Sequence, residues 1–257
     1  MHASQRIGTF QRAGLVAVTA FFAMALLQRQ APAQDFSGMI DSSFANMSSF
    51  AGTTAVNSAI TESARYAAGL PQANVQPLAP QPANLAFRTS ATVTAETNGR
   101  ILAAIRQSTP GADTRKFEQV LNNGELRGTF ARLLRSAGFS PNDLADVLMG
   151  YLVISWEVVS GEDSHRHAPG YAAVRNRLRE SLGADPRIAR MTDGDKQQFA
   201  ETLEVLAILA AATRDGLQQN GQSDKLAALQ EGVRRAGQNL GVDFGQLAFT
   251  DAGFVSR

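Results

Sequence analysis

Between Ser90 and Leu240 the apolar residues recur at intervals of three and four, with little strand-type alternation. That interval marks one face of an α-helix, which turns every ~3.6 residues. The spacing predicts a helix over Thr94–Gln107 with Ile101, Leu102 and Ile105 turned inward. A second opens after "TPGADT" and carries Phe117, Val120 and Leu121. A third covers Glu125–Ala137, with Leu126, Phe130, Leu133 and Ala137 on one side, and stops at Gly138. A fifth begins at Pro169-Gly170, faces Tyr171, Val174, Leu178 and Leu182 inward, and closes at Gly183. A seventh follows Ser223, where Leu226, Leu229, Val233, Ala236 and Leu240 step by 3, 4, 3 and 4. That stripe spans only two heptads, so it reads as packing against a bundle rather than as a coiled-coil seam.

The fourth and sixth helices are apolar on most sides, which places them at the centre of the bundle. In the fourth, Leu144, Val147, Leu148, Tyr151 and Val158 make one face, and Leu152, Trp156 and Val159 another. Ser140 is its expected N-cap, bonded to the amide of Asp143, with Pro141 at the first helical position. The sixth runs from Asp193 to about Gln219, capped by Thr192 with Asp195 three residues on, and is ringed by Phe199, Leu203, Val205, Leu206, Ile208 and Leu209. Beyond Gly241, "VDFGQLAFTDAGF" is expected to fold back over the bundle. The fold class is therefore all-α: a single bundle of six to seven helices over residues 90–257. About 165 residues are enough to bury a core without covalent staples.

Residues 34–89 break this pattern. They are rich in Ser, Thr, Ala, Asn, Gln and Pro and poor in charge. Pro71, Pro77, Pro80 and Pro82 remove backbone donors and disfavour helix before them, so this stretch reads as a largely disordered leader. One modest helix is possible from Phe50 to Gly69. Residues 1–33 carry a secretory signal pattern: Arg6 and Arg12, then the uncharged stretch Ala13–Leu27, then Ala31-Pro32-Ala33 as a cleavage site. The apolar run is fifteen residues, short of the ~20 needed to span a bilayer. The expected location is the periplasm or the cell exterior, with no transmembrane segment in the mature chain.

Removing residues 1–33 takes away Arg6, Arg12 and Arg29, leaving 24 − 3 = 21 basic against 23 acidic residues. A charge of −2 with no basic stripe argues against nucleic-acid binding. The chain has no cysteine, so neither disulfide nor thiol chemistry is open to it.

Candidate chemistry concentrates in "GEDSHRHAPGY", residues 161–171. Glu162, Asp163, His165 and His167 are the candidate metal ligands there. Glu162 and His165 have the E-x-x-H spacing of di-iron carboxylate bundles, but those need it on two helices, and only three histidines exist. His165 and His167 in a loop can chelate zinc or copper weakly, with Asp163 helping. Gly161, Pro169 and Gly170 favour the plainer reading of a polar connection between helices. A Ser-His-Asp triad would have to recruit His165 or His167, and no serine is singled out. Glu201 and Glu204, three apart beside Lys196, read as exposed, solubilising side chains rather than an acid–base pair. Trp156 reads as core. No catalytic residue, cofactor-binding motif or cofactor is assigned.

Three stretches, "SPNDLADVLMGYLVISW", "DGDKQQFAETLEVLAIL" and "LGVDFGQLAFTDAGF", together with the proline-rich leader, carry a likeness to a known group. From Phe87 to Phe254 the chain resembles a family of exported bacterial proteins known only as a domain of unknown function. The resemblance implies a helical exported domain and lends no catalytic residues. The leading expectation is a non-catalytic interaction or scaffold domain of the cell envelope, meeting an envelope protein or surface component. The alternatives are a carrier that parts its two apolar helices around a small apolar ligand, and a metal protein or hydrolase built on residues 162–167.

Overall fold

The chain winds around one long helix. The structure is a computed structural model and describes residues 54–70, 83–108, 110–111 and 113–257. Its helices are α1 (Thr54–Ala67), α2 (Ala91–Ser108), α3 (Arg115–Asn122), α4 (Glu125–Ser136), α5 (Leu144–Ser160), α6 (Pro169–Ala184), the single turn α7 (Pro186–Ala189), α8 (Asp193–Gln219) and α9 (Ser223–Asn239). The fold is all-α, and the expected helices are all present. The segment expected to fold back does so as a 3-10 turn, Phe244–Gln246, followed by a hairpin of β1 (Leu247–Thr250) and β2 (Gly253–Ser256).

α8 is the axis because from Leu203 to Ala212 its sequence, Glu204 apart, is apolar on every side. Every residue from Lys196 to Ala212 is buried, and the helix packs against α5, α4, α2 and α9. α5 is buried almost as completely, from Leu144 through Val153. The two touch directly along their length, so an apolar ligand between them would have to separate helices already in contact. Where α5 passes α4, Gly150 permits the close approach: a Cβ there would stand 2.9 Å from Phe130 Cζ and 3.0 Å from Leu134 Cδ2.

The cap of α5 differs from the expectation. Asp143, not Ser140, is the N-cap; its carboxylate accepts from the amides of Ala145 at 3.1 Å and Asp146 at 3.3 Å. The reason lies upstream, where Leu85–Phe87 runs antiparallel to the entry of α5. Phe87 N donates to Asn142 O, and Leu144 N to Leu85 O, both at 3.0 Å. Those bonds hold residues 142–143 extended, and the helix starts after them. Ser140 instead accepts from Asn142 N, while its own amide donates to Asp146 Oδ2.

The packed body includes residues upstream of Ser90. α1 lies against α6, burying Ala59, Ile60, Ala64 and Ala67, and Leu85 and Phe87 join the same apolar cluster. The apolar stretch Ala13–Leu27, the Ala31-Pro32-Ala33 site and the proline run from Pro71 to Pro82 lie outside the described residues. Among the described residues no helix is long and apolar enough to cross a membrane.

The hairpin pairs Leu247 with Ser256 and Phe249 with Phe254, and it closes one end of the bundle. Trp156 Nε1 donates to Leu247 O at 3.0 Å, and the indole is buried against Phe249 and Phe254. Arg177 on α6 donates to Ala252 O at 2.9 Å and Phe254 O at 3.1 Å. Gly170 lets the hairpin sit down: a Cβ at that position would fall 2.2 Å from Thr250 O.

Candidate functional site

The expected metal ligands separate into different partnerships. α5 ends at Gly161, whose φ of 72° turns the chain left-handed into a short 3-10 turn, Ser164–His167. Asp163 caps that turn by accepting from His165 N, and its Oδ1 also lies 2.9 Å from His165 Nδ1. His167 turns away, with Nδ1 2.9 Å from Asp251 Oδ1 at the hairpin bend. Glu162 pairs with Arg257 beyond β2. Only Asp163 and His165 of the four stay together, and they are joined by a residue the sequence did not single out, Glu157. Glu157 sits one turn before the end of α5, on the face that meets the returning chain. It accepts from Ser164 N at 3.0 Å and Ser164 Oγ at 2.5 Å. Ser164 Oγ also lies 2.8 Å from Tyr171 Oη, and burial pushes the Tyr171 phenol up to about 12.

A second cluster lies inside the bundle, where α8 meets α2 and α4. Lys196, Glu201 and Glu204, expected to be exposed, are 5%, 6% and 5% exposed. The correction follows from the position of α8: a helix surrounded on all sides has no face to give to water, so its polar residues must find partners inside. Lys196 reaches Ala86 O at 3.5 Å. Gln197 is the hub: its Oε1 accepts from Ser90 N at 2.7 Å, and its Nε2 donates to Ser90 O, Thr94 Oγ1 and Glu201 Oε1. Thr94 Oγ1 donates to the same Glu201 oxygen at 2.7 Å.

The other Glu201 oxygen meets Arg127 Nε from α4 at 3.2 Å. That contact is ionic, since neither atom has a partner in hydrogen-bonding geometry. Arg127 also holds Asn98 and, at 3.5 Å, Leu121 O. Burial drives the Arg127 pKa down, against the pull of Glu201 and Glu204. Glu204 lies nearly one turn beyond Glu201 and, among the described residues, has no hydrogen-bond partner. Burial first, and the neighbouring Glu201 second, push its carboxyl up to about 8, with Arg127 and Arg135 opposing. Arg127 thus faces two acids, and a protonated Glu204 resolves the imbalance at neutral pH.

The three stretches of likeness are now set in a fold: two are the central helices and the third is the hairpin with the turn before it. The decisive match is of sequence, and it covers residues 13–257. The chain belongs to the family of unknown function DUF6683. The DUF6683 match takes in both polar clusters and the leader as well as the helical body. No curated protein and no solved structure shows significant similarity to the chain.

Proposed function

We propose that this DUF6683 member is a non-catalytic interaction or scaffold domain of a bacterial cell envelope, exported by residues 1–33 and cleaved after Ala33. Support for export is the uncharged Ala13–Leu27 stretch between Arg12 and a small-residue site. The observation that carries the scaffold reading is how the reactive side chains are used. His167 with Asp251 and Glu162 with Arg257 tie the histidine turn to the C-terminal hairpin, and Glu201 with Arg127 ties α8 to α4. Groups that elsewhere act on substrates here hold elements of this chain to one another.

The absence of cysteine gives a clean test. Single cysteines replace Ala95 on α2, Ala172 on α6 and Ala227 on α9, all exposed, and are cross-linked in cells at native abundance. A reproducible adduct of defined mass from one face, in the exported fraction and beginning at Gln34, is the expected result. Adducts from none of the three faces would overturn the interaction reading. An intact N-terminus in the cytoplasm would overturn the location.

A further inference from the structure

The C-terminal end of α5 brings together three side chains with metal-donor atoms that the proposed role does not use. We propose that Glu157, Asp163 and His165 form a binding site for a divalent cation of the zinc class. One ligand atom from each lies within 4.8 Å of the other two. The donor set is one imidazole nitrogen and two carboxylate oxygens, which suits zinc and copper and disfavours calcium and magnesium.

Three features prepare the site. Glu157 is held by both the amide and the hydroxyl of Ser164, a buried residue braced in turn by Tyr171 Oη, so its carboxylate is aimed before any ion arrives. Asp163 is fixed by its capping bond to His165 N, and Tyr171 presents its ring edge-to-face to His165 at 6.4 Å. The carbonyl end of α5 carries the negative pole of the helix, and no basic residue occupies its last turn.

Tetrahedral zinc with bonds of about 2.0–2.1 Å sets its donors roughly 3.3 Å apart. Asp163 Oδ1 and His165 Nδ1 stand at 2.9 Å and need to open slightly to admit an ion, while Glu157 needs to close. Asp163 and His165 are exposed, so their outer atoms have room for a shift of a few tenths of an ångström. The ion replaces the hydrogen bond between Nδ1 and Oδ1, a neutral imidazole bound through Nδ1 carries its one proton on Nε2, and water completes the shell. His167 and Glu162 take no part, because Asp251 and Arg257 hold them elsewhere.

The test is isothermal titration of zinc chloride into the full-length chain, with His165→Ala, Glu157→Gln, His167→Ala and Glu162→Gln as variants. One ion per chain is expected, with affinity falling more than about tenfold in the first two variants, at least the loss that outer-shell changes alone produce. The other two should bind like the parent, and millimolar calcium or magnesium should not compete. Absence of binding at millimolar zinc overturns the proposal. So does binding unaffected by His165→Ala, or equally weakened by His167→Ala. His165 is exposed, so the decisive variant does not threaten the fold.

Discussion

Arg127 Nε lies 3.2 Å from Glu201 Oε2, with only 12% and 7% of the two side chains open to water. Removing one partner from such a pair strands a charge where no solvent can reach it. Arg127→Met should destabilise the protein by about 3–5 kcal/mol, the cost typical of an orphaned buried charge. Urea unfolding at neutral pH measures it. Adding Glu201→Gln to that variant should restore much of the loss, because the uncompensated acid then disappears. A double variant as unstable as Arg127→Met alone would show that packing, not charge, holds α4 to α8.

Glu204 makes stability depend on pH. Its carboxyl is raised by burial from 4.5 to about 8 in the folded chain, so the native state retains a proton that the unfolded state has released. Stability from this group is complete below the unfolded value and is lost as pH rises toward the folded one. The slope is at most about 1.4 kcal/mol per pH unit. The melting temperature should fall from about pH 5 to about pH 8. Glu204→Gln, neutral throughout, should flatten that profile and raise stability at the alkaline end. An unchanged profile would contradict the assignment.

Gly170 is the seat of the hairpin. Gly170→Ala gains some helix propensity, worth up to about 1 kcal/mol, but drives its methyl into Thr250 O and the Phe249 ring. The expected net effect is a loss of roughly 1–3 kcal/mol, the usual cost of overpacking. Trp156 fluorescence should shift to the red as the hairpin lifts. A native emission maximum would mean that the hairpin adjusts without leaving the indole.

The N-cap assignment for α5 separates two neighbours. Asp143→Ala removes two amide partners and the ion pair with Arg179, and should cost at least the ~1 kcal/mol typical of a lost cap. Ser140→Ala should cost less than that, since Ser140 accepts only one exposed turn bond. Thermal unfolding of the two variants side by side decides between them.

The helices were legible because period is a local property. Leu226 through Leu240 or Phe199 through Leu209 carry their faces in the order of the residues. The cap of α5 was not, because the bonds that hold residues 142–143 extended, Phe87 N to Asn142 O and Leu144 N to Leu85 O, come from more than fifty residues away in sequence. The burial of Glu201 and Glu204 was masked for a related reason. Glu and Lys at these spacings ordinarily face water, and only the encirclement of α8 reverses that. The all-round apolar character of the same helix was the available signal: a carboxylate on a helix without a wet side must be buried. Glu157 escaped notice because the chain had to turn back at Gly161 before it stood beside Asp163 and His165. The hairpin lay in the segment expected to fold back, but its strands are four residues each, too short for alternation to declare them.

Oily cylinders packed side by side can slide along one another at little cost. The Gln197 hub forbids it here: displacing α8 by one turn, about 5.4 Å, would pull Glu201 off Arg127 and part Gln197 from Ser90 and Thr94. The polar cluster therefore works as a notch that admits a single alignment of the long rod. Substituting the whole set with well-packed aliphatic residues should yield a chain at least as hard to melt but with several competing registers.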